Sequence, residues 1–194
     1  MRFVLALVAI YVAATGSVRA GDSTAGDELV MGGVAPPVCA FTATPSQQAS
    51  DNMTFAASGG INQIQIDTLI DPNVGLLNRA SIQLEVDGIC NRAHSLSVMT
   101  NNGGLKQAGS VLPVGGAFVG HINYRVQVDW AGETAMLTTD AVPGKKAPVN
   151  LIGGPNQGSL NISLIIDEVD NDLNTPVIAG VYSDILTIQI GVPL

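Results

Sequence analysis

Between His121 and Trp130 the chain alternates with a period of two. Ile122, Tyr124, Val126, Val128 and Trp130 fall on one side, and Asn123, Arg125, Gln127 and Asp129 on the other. That repeat suits a strand with one dry face and one wet face; it does not place apolar residues along one stripe of a helix. The same period returns at Ile82, Leu84 and Val86, and again at Leu160, Ile162, Leu164 and Ile166. In the last segment Tyr182, Asp184, Leu186, Ile188, Ile190 and Val192 share a face. Weaker strands are expected over 38–44, 61–66, 96–100, 135–139 and 148–152. Asn101-Asn102-Gly103-Gly104, Pro143-Gly144 and Gly153-Gly154-Pro155 supply turn chemistry between them. Many short strands separated by turns predict a single all-β domain, an antiparallel sandwich with no internal repeat. Composition agrees. Only four Glu and three Lys are present, too few for a helical bundle. Charged residues make up 12% against a usual ~25%, and the net charge of −8 argues against nucleic acid as a partner.

The N-terminus reads as an export signal. Met1-Arg2 is followed by an apolar run from Phe3 to Ala14, and Val18-Arg19-Ala20 fits a small-residue cleavage site. Cleavage after Ala20 would leave 174 residues and, with Arg2 and Arg19 gone, a formal charge of −10. No later segment reaches the ~18 apolar residues of a membrane span, so the mature chain is not expected to be membrane-embedded. Residues 21–37 form an extension that is polar first, then briefly apolar, and closes on Pro36-Pro37; the sandwich domain is expected over 38–194. Cys39 and Cys90 are the only cysteines, and an even count in an exported chain reads as a disulfide. A metal or nucleophilic thiol pair is the alternative, but the spacing fits no zinc pattern.

Catalytic motifs are not found: there is no nucleophile elbow, phosphate loop or zincin helix. The acidic run 167–172 offers Asp167, Asp170 and Asp172 as a weak calcium candidate, without the glycine and terminal glutamate of an EF-hand loop. The plainer reading is a solvated loop between strands. Neither an enzyme nor a cofactor is expected.

The apolar strand 181–192 is followed only by Pro193 and Leu194. If it is central to a sheet, its outer neighbour is expected from elsewhere, because an open strand edge beside exposed core invites pairing with another chain.

With these features the chain resembles pilus subunits of the chaperone–usher pathway, in particular the archaic branch that shares the spore coat protein U domain. The resemblance rests on four stretches. They are the opening strand with Cys39 in VCAFTATP, and the strand closing at Cys90 with its following CNRAHSLSVMTNNGG. The third is the tyrosine-bearing strand NYRVQVDWAG, and the fourth is the ending AGVYSDILTI. It covers roughly 38–192.

The resemblance implies an immunoglobulin-like sandwich lacking its last strand. A periplasmic chaperone would lend that strand, and an outer-membrane usher would exchange it for the extension of the neighbouring pilus subunit. The groove wall would then be Tyr182, Leu186, Ile188, Ile190 and Val192. The donor would lie within 21–37, using Leu29 and Met31 with Gly33, or Val30 and Val34 with Gly32. The implied location is the periplasm in transit, then a cell-surface fimbria. The donor patch is short, and Trp130 is followed by Ala131-Gly132 rather than directly by glycine. A minor subunit therefore fits as well as a major one. The alternative is a self-complete secreted sandwich acting as a binding module for carbohydrate or a surface partner.

Overall fold

The computed structural model describes residues 30–109 and 117–191. The signal segment, Leu29 and Val192 lie outside the described residues. The chain separates into two compact units, one up to Ala35 and one from Pro36 on. In the first, residues 30–35 carry no regular secondary structure, and Val30, Met31 and Val34 are exposed.

The second unit is all-β, and no helix occurs among the described residues. Its largest sheet is built on β5 (Ala80–Cys90) and β12 (Asn156–Ile166), paired antiparallel over eleven positions from Cys90↔Asn156 to Ala80↔Ile166. β9 (Arg125–Trp130) lies beyond β12, and β10 (Glu133–Thr138) forms that edge. At the other edge β1 (Cys39–Phe41) and β2 (Ser46–Asp51) share β5 as partner. A second sheet sets β6 (His94–Thr100) between β11 (Asn150–Ile152) and β14 (Leu186–Gly191). Two smaller pieces complete the unit. One joins β7 (Leu105–Gln107) to β8 (His121–Ile122) and β13 (Tyr182–Ser183). The other is the hairpin β3 (Met53–Ser58) with β4 (Ile61–Ile66). Fold class thus follows the alternation: β5 is buried at every second residue, and Leu96, Val98, Val126, Val128, Trp130 and Leu160 meet in one core.

Two expected strands are broken, each by polar side chains that take over the ladder. The predicted strand 121–130 stops at Asn123-Tyr124. There the Tyr124 amide donates to Thr139 Oγ1 (2.7 Å) and the Asn123 amide to Asn171 Oδ1 (2.8 Å). The final segment is interrupted at Asp184 and Ile185. β2, β3 and β7 were not expected. β2 is exposed along its whole length and carries no apolar alternation to mark it.

The Cys39–Cys90 disulfide is formed, and it staples β1 to the end of β5, where the two cysteines are register partners. By the chain-entropy model a loop of this size contributes about 4 kcal/mol. At the same end of the core, Trp130 Nε1–H donates to His94 Nε2 (2.8 Å), while His94 Nδ1 meets Arg92 O (2.9 Å). One tautomer satisfies both contacts: Nδ1 donates and Nε2 accepts. Gly88 makes room for the indole; a Cβ there would lie 3.1 Å from Trp130 Cη2 and 3.3 Å from Ile190 Cδ1.

His94 and Trp130 are both fully buried. Replacing His94 by Ala leaves an indole N–H without an acceptor, a cost of ~1–3 kcal/mol before any cavity term. His94→Ala is expected to lower unfolding free energy by about 3 kcal/mol in denaturant titration, with His94→Gln losing less.

Candidate functional site

β14 lies at the edge of its sheet. It pairs with β6 through Thr187↔Met99, Gln189↔Ser97 and Gly191↔Ser95, and just beyond the strand the Asn101 amide donates to Ile185 O (2.9 Å). On its other side β6 turns Thr100 N and Val98 O to the segment 145–147. Odd-numbered residues of β6 therefore serve β14. Antiparallel pairing alternates, so the main-chain groups of Leu186, Ile188 and Ile190 point to the outer edge of β14. Among the described residues no strand pairs with that edge.

Beside the edge lies an apolar groove of about 480 Å³. Leu186 and Ile188 form one wall with Ile185, and β4 forms the other with Ile61, Ile64 and Ile66. The floor is the inner face of the large sheet, namely Leu84, Ile162, Leu164 and Ile166. This part of the core is the less sealed: Ile162 and Leu164 keep 9% and 8% of their surface, against 0% for Leu160 on the same strand. Ile61 and Ile185, both largely exposed, stand at the mouth.

One end of the groove is polar and tightly tied. The Asp184 carboxylate accepts from the Thr100 hydroxyl, the Asn102 amide (2.8 Å), the Gly104 amide (3.0 Å), the Tyr124 hydroxyl (2.8 Å) and its own neighbour's amide at Ile185 (2.7 Å). This cluster is why the final segment breaks: Asp184 serves the 100–104 loop. That loop is pressed close, since a Cβ on Gly103 (φ +77°) would lie 2.3 Å from Val142 O. Burial pushes the Tyr124 phenol well above its ordinary value. The Thr100 hydroxyl opposes the rise, and the bond to Asp184 with its charge adds to it.

The residues expected to form the groove wall divide. Leu186 and Ile188 line it. Ile190 is buried instead, against Gly88, in the half of β14 that lies close to β1. Tyr182 sits in the small sheet, its hydroxyl donating to Ile178 O (2.7 Å), and does not line the groove. Met53, the β4 residues, Leu105, Tyr124 and the floor had not been anticipated. The floor residues were readable as inward positions of strong strands; the β4 contribution required the tertiary fold.

The acidic run is not brought together as a cage. Arg125 reaches Asp167 (2.6 Å) and Asp170 (3.3 Å). Asp172 turns to its own loop, where the Thr175 hydroxyl and Asn174 amide hold its carboxyl below the ordinary value. Among the described residues no three metal-ligating side chains stand together. Nor, among them, is any helix long and apolar enough to cross a membrane. Comparison with protein-family models, curated proteins and solved structures returned no match.

A phenol whose value is raised on folding contributes stability that is whole below its unfolded value, and that is lost as pH climbs through the folded one. Stability is expected to hold up to about pH 10 and fall above it, and Tyr124→Phe to blunt that fall. Denaturant titrations across alkaline pH read this directly.

Proposed function

We propose that the protein is a non-enzymatic structural subunit of a surface fibre, exported and completed by a strand from another chain. The observation that carries this reading is the open outer edge of β14 beside a groove floored by core residues. An incoming strand there would find main-chain partners at Leu186 and Ile188 and an apolar floor for alternate side chains, the two requirements of strand addition. It would also lie next to the β3–β4 hairpin and cover the part of the core now least sealed. The domain would then be an immunoglobulin-like sandwich short of one strand.

The donor in this reading is the extension of a neighbouring subunit, and before assembly a strand of a periplasmic chaperone delivered to an outer-membrane usher. Length supports it. The open stretch spans little more than Leu186 to Ile188, room for about two apolar side chains spaced two apart, and Leu29 with Met31 supply such a pair. Val30 and Val34 are the other register. Each apolar side chain fully buried there would contribute ~1.5–3 kcal/mol. The disulfide fits an oxidising compartment, in keeping with passage through the periplasm to the cell surface.

Co-expression with a chaperone and usher encoded beside the gene tests the proposal. Expected is a one-to-one chaperone complex that converts to denaturant-resistant oligomers when the usher is present. Ile188→Asp is expected to abolish both, while removal of residues 21–37 spares the chaperone complex and blocks incorporation. A stable monomer that forms no chaperone complex and exchanges no strand would overturn the reading and favour a self-complete binding module.

A further inference from the structure

The outer face of the large sheet carries a second concavity, away from the groove. Strand register lays its side chains in rows. Gln83, Ser163 and Gln127 stand side by side across β5, β12 and β9, and the next row is Glu85, Asn161 and Asp129. Along the β2 margin the pairing with β5 slips, so that Gln47 opposes Leu84 and Ala49 opposes Gln83, leaving Gln48 as the extra residue of a bulge. A bulge re-aims a side chain, and bulges concentrate beside binding sites. Here Gln48 walls a trough of about 390 Å³ floored by the Gln83–Ser163–Gln127 row and by Asn161 and Asp129 of the next.

The trough is mostly polar. Three glutamines, an asparagine, a serine and an aspartate supply its side-chain polar groups, Leu84 and Ile162 also line it, and among the described residues no lysine or arginine does. The Gln83 and Asn161 amides make no hydrogen bond to any described residue. Asp129 is held in place, accepting from Thr134 Oγ1 (2.6 Å) and from Gln127 Nε2 (3.0 Å), which leaves the Gln127 carbonyl free to accept. Side-chain amides offer a donor and an acceptor together, and an oriented carboxylate accepts from two neighbouring hydroxyls. That set matches a hydroxyl-rich ligand, in which each oxygen both donates and accepts. It does not match an anion, which Asp129 and Glu85 would repel, nor an apolar ligand.

We infer that this trough is a binding site for a neutral saccharide, a contact surface separate from the strand groove and independent of the assembly reading. Among the described residues no aromatic ring lines the trough, so recognition rests on hydrogen bonds, and binding is weak at a single subunit. Repetition along a fibre would multiply it through effective concentration.

Titration of the isotope-labelled full chain with maltotriose, mannotriose and N,N′,N″-triacetylchitotriose, followed by the side-chain amide signals in NMR, tests this. Trigalacturonate serves as the anionic control. Expected is a saturable shift of the Gln83, Gln127 and Asn161 signals with at least one neutral sugar, and none with the anionic one. Asn161→Ala and Gln83→Ala, tested separately, are each expected to weaken binding about tenfold, the loss of one good hydrogen-bonding partner, without change in melting temperature. No saturable shift up to about 50 mM of any neutral sugar, a range that reaches well above millimolar dissociation constants, would overturn it. So would shifts confined to other residues, or unchanged affinity in both variants.

Discussion

Main-chain hydrogen-bonding groups next to an apolar core need partners, and along β14 only every second residue has them. Thr187, Gln189 and Gly191 face β6, and Leu186 and Ile188 turn their amide and carbonyl groups to an edge with no paired strand among the described residues. The side chains of the same two residues face inward over Leu84 and Leu164. One short stretch of chain therefore combines an open ladder with an incompletely covered core. Each alone is a liability on a protein surface; together they define what a complementary segment must be, extended and apolar at alternate positions.

The rest of the fold holds that stretch in place. The long β5–β12 ladder supplies a rigid floor. The disulfide and the Trp130–His94 pair lie at the far end, where Ile190 is buried beside Gly88. At the near end Asp184 gathers donors from the 100–104 loop and from Tyr124, which ends the pairing of the small sheet and starts β14 afresh. The groove is short because both of its ends are fixed by specific contacts.

Much of this was legible in sequence. Period-two alternation located β5, β9, β12 and β14, the strands with a strict inside and outside, and the cysteine count anticipated the staple between β1 and β5. The alternation also named Leu186 and Ile188 as inward residues. What it could not separate was position along one strand. Ile188 and Ile190 look alike in sequence, but one lies in the groove and the other faces Gly88 and the indole. The hairpin wall was hidden for a different reason: Ile61, Ile64 and Ile66 alternate weakly among polar residues, and only the fold brings them opposite β14. β2 stayed invisible because all of its side chains are wet, and its pairing is specified by β5 alone.

Residue-resolved hydrogen exchange on β14 reads whether its outer edge is open. In the isolated domain the amides of Leu186 and Ile188 should exchange quickly while those of Thr187 and Gln189 are protected, and adding a peptide of residues 21–37 should slow the first pair. Equal protection at all four positions before any peptide is added would mean that the outer edge is already paired and that no strand is wanting there.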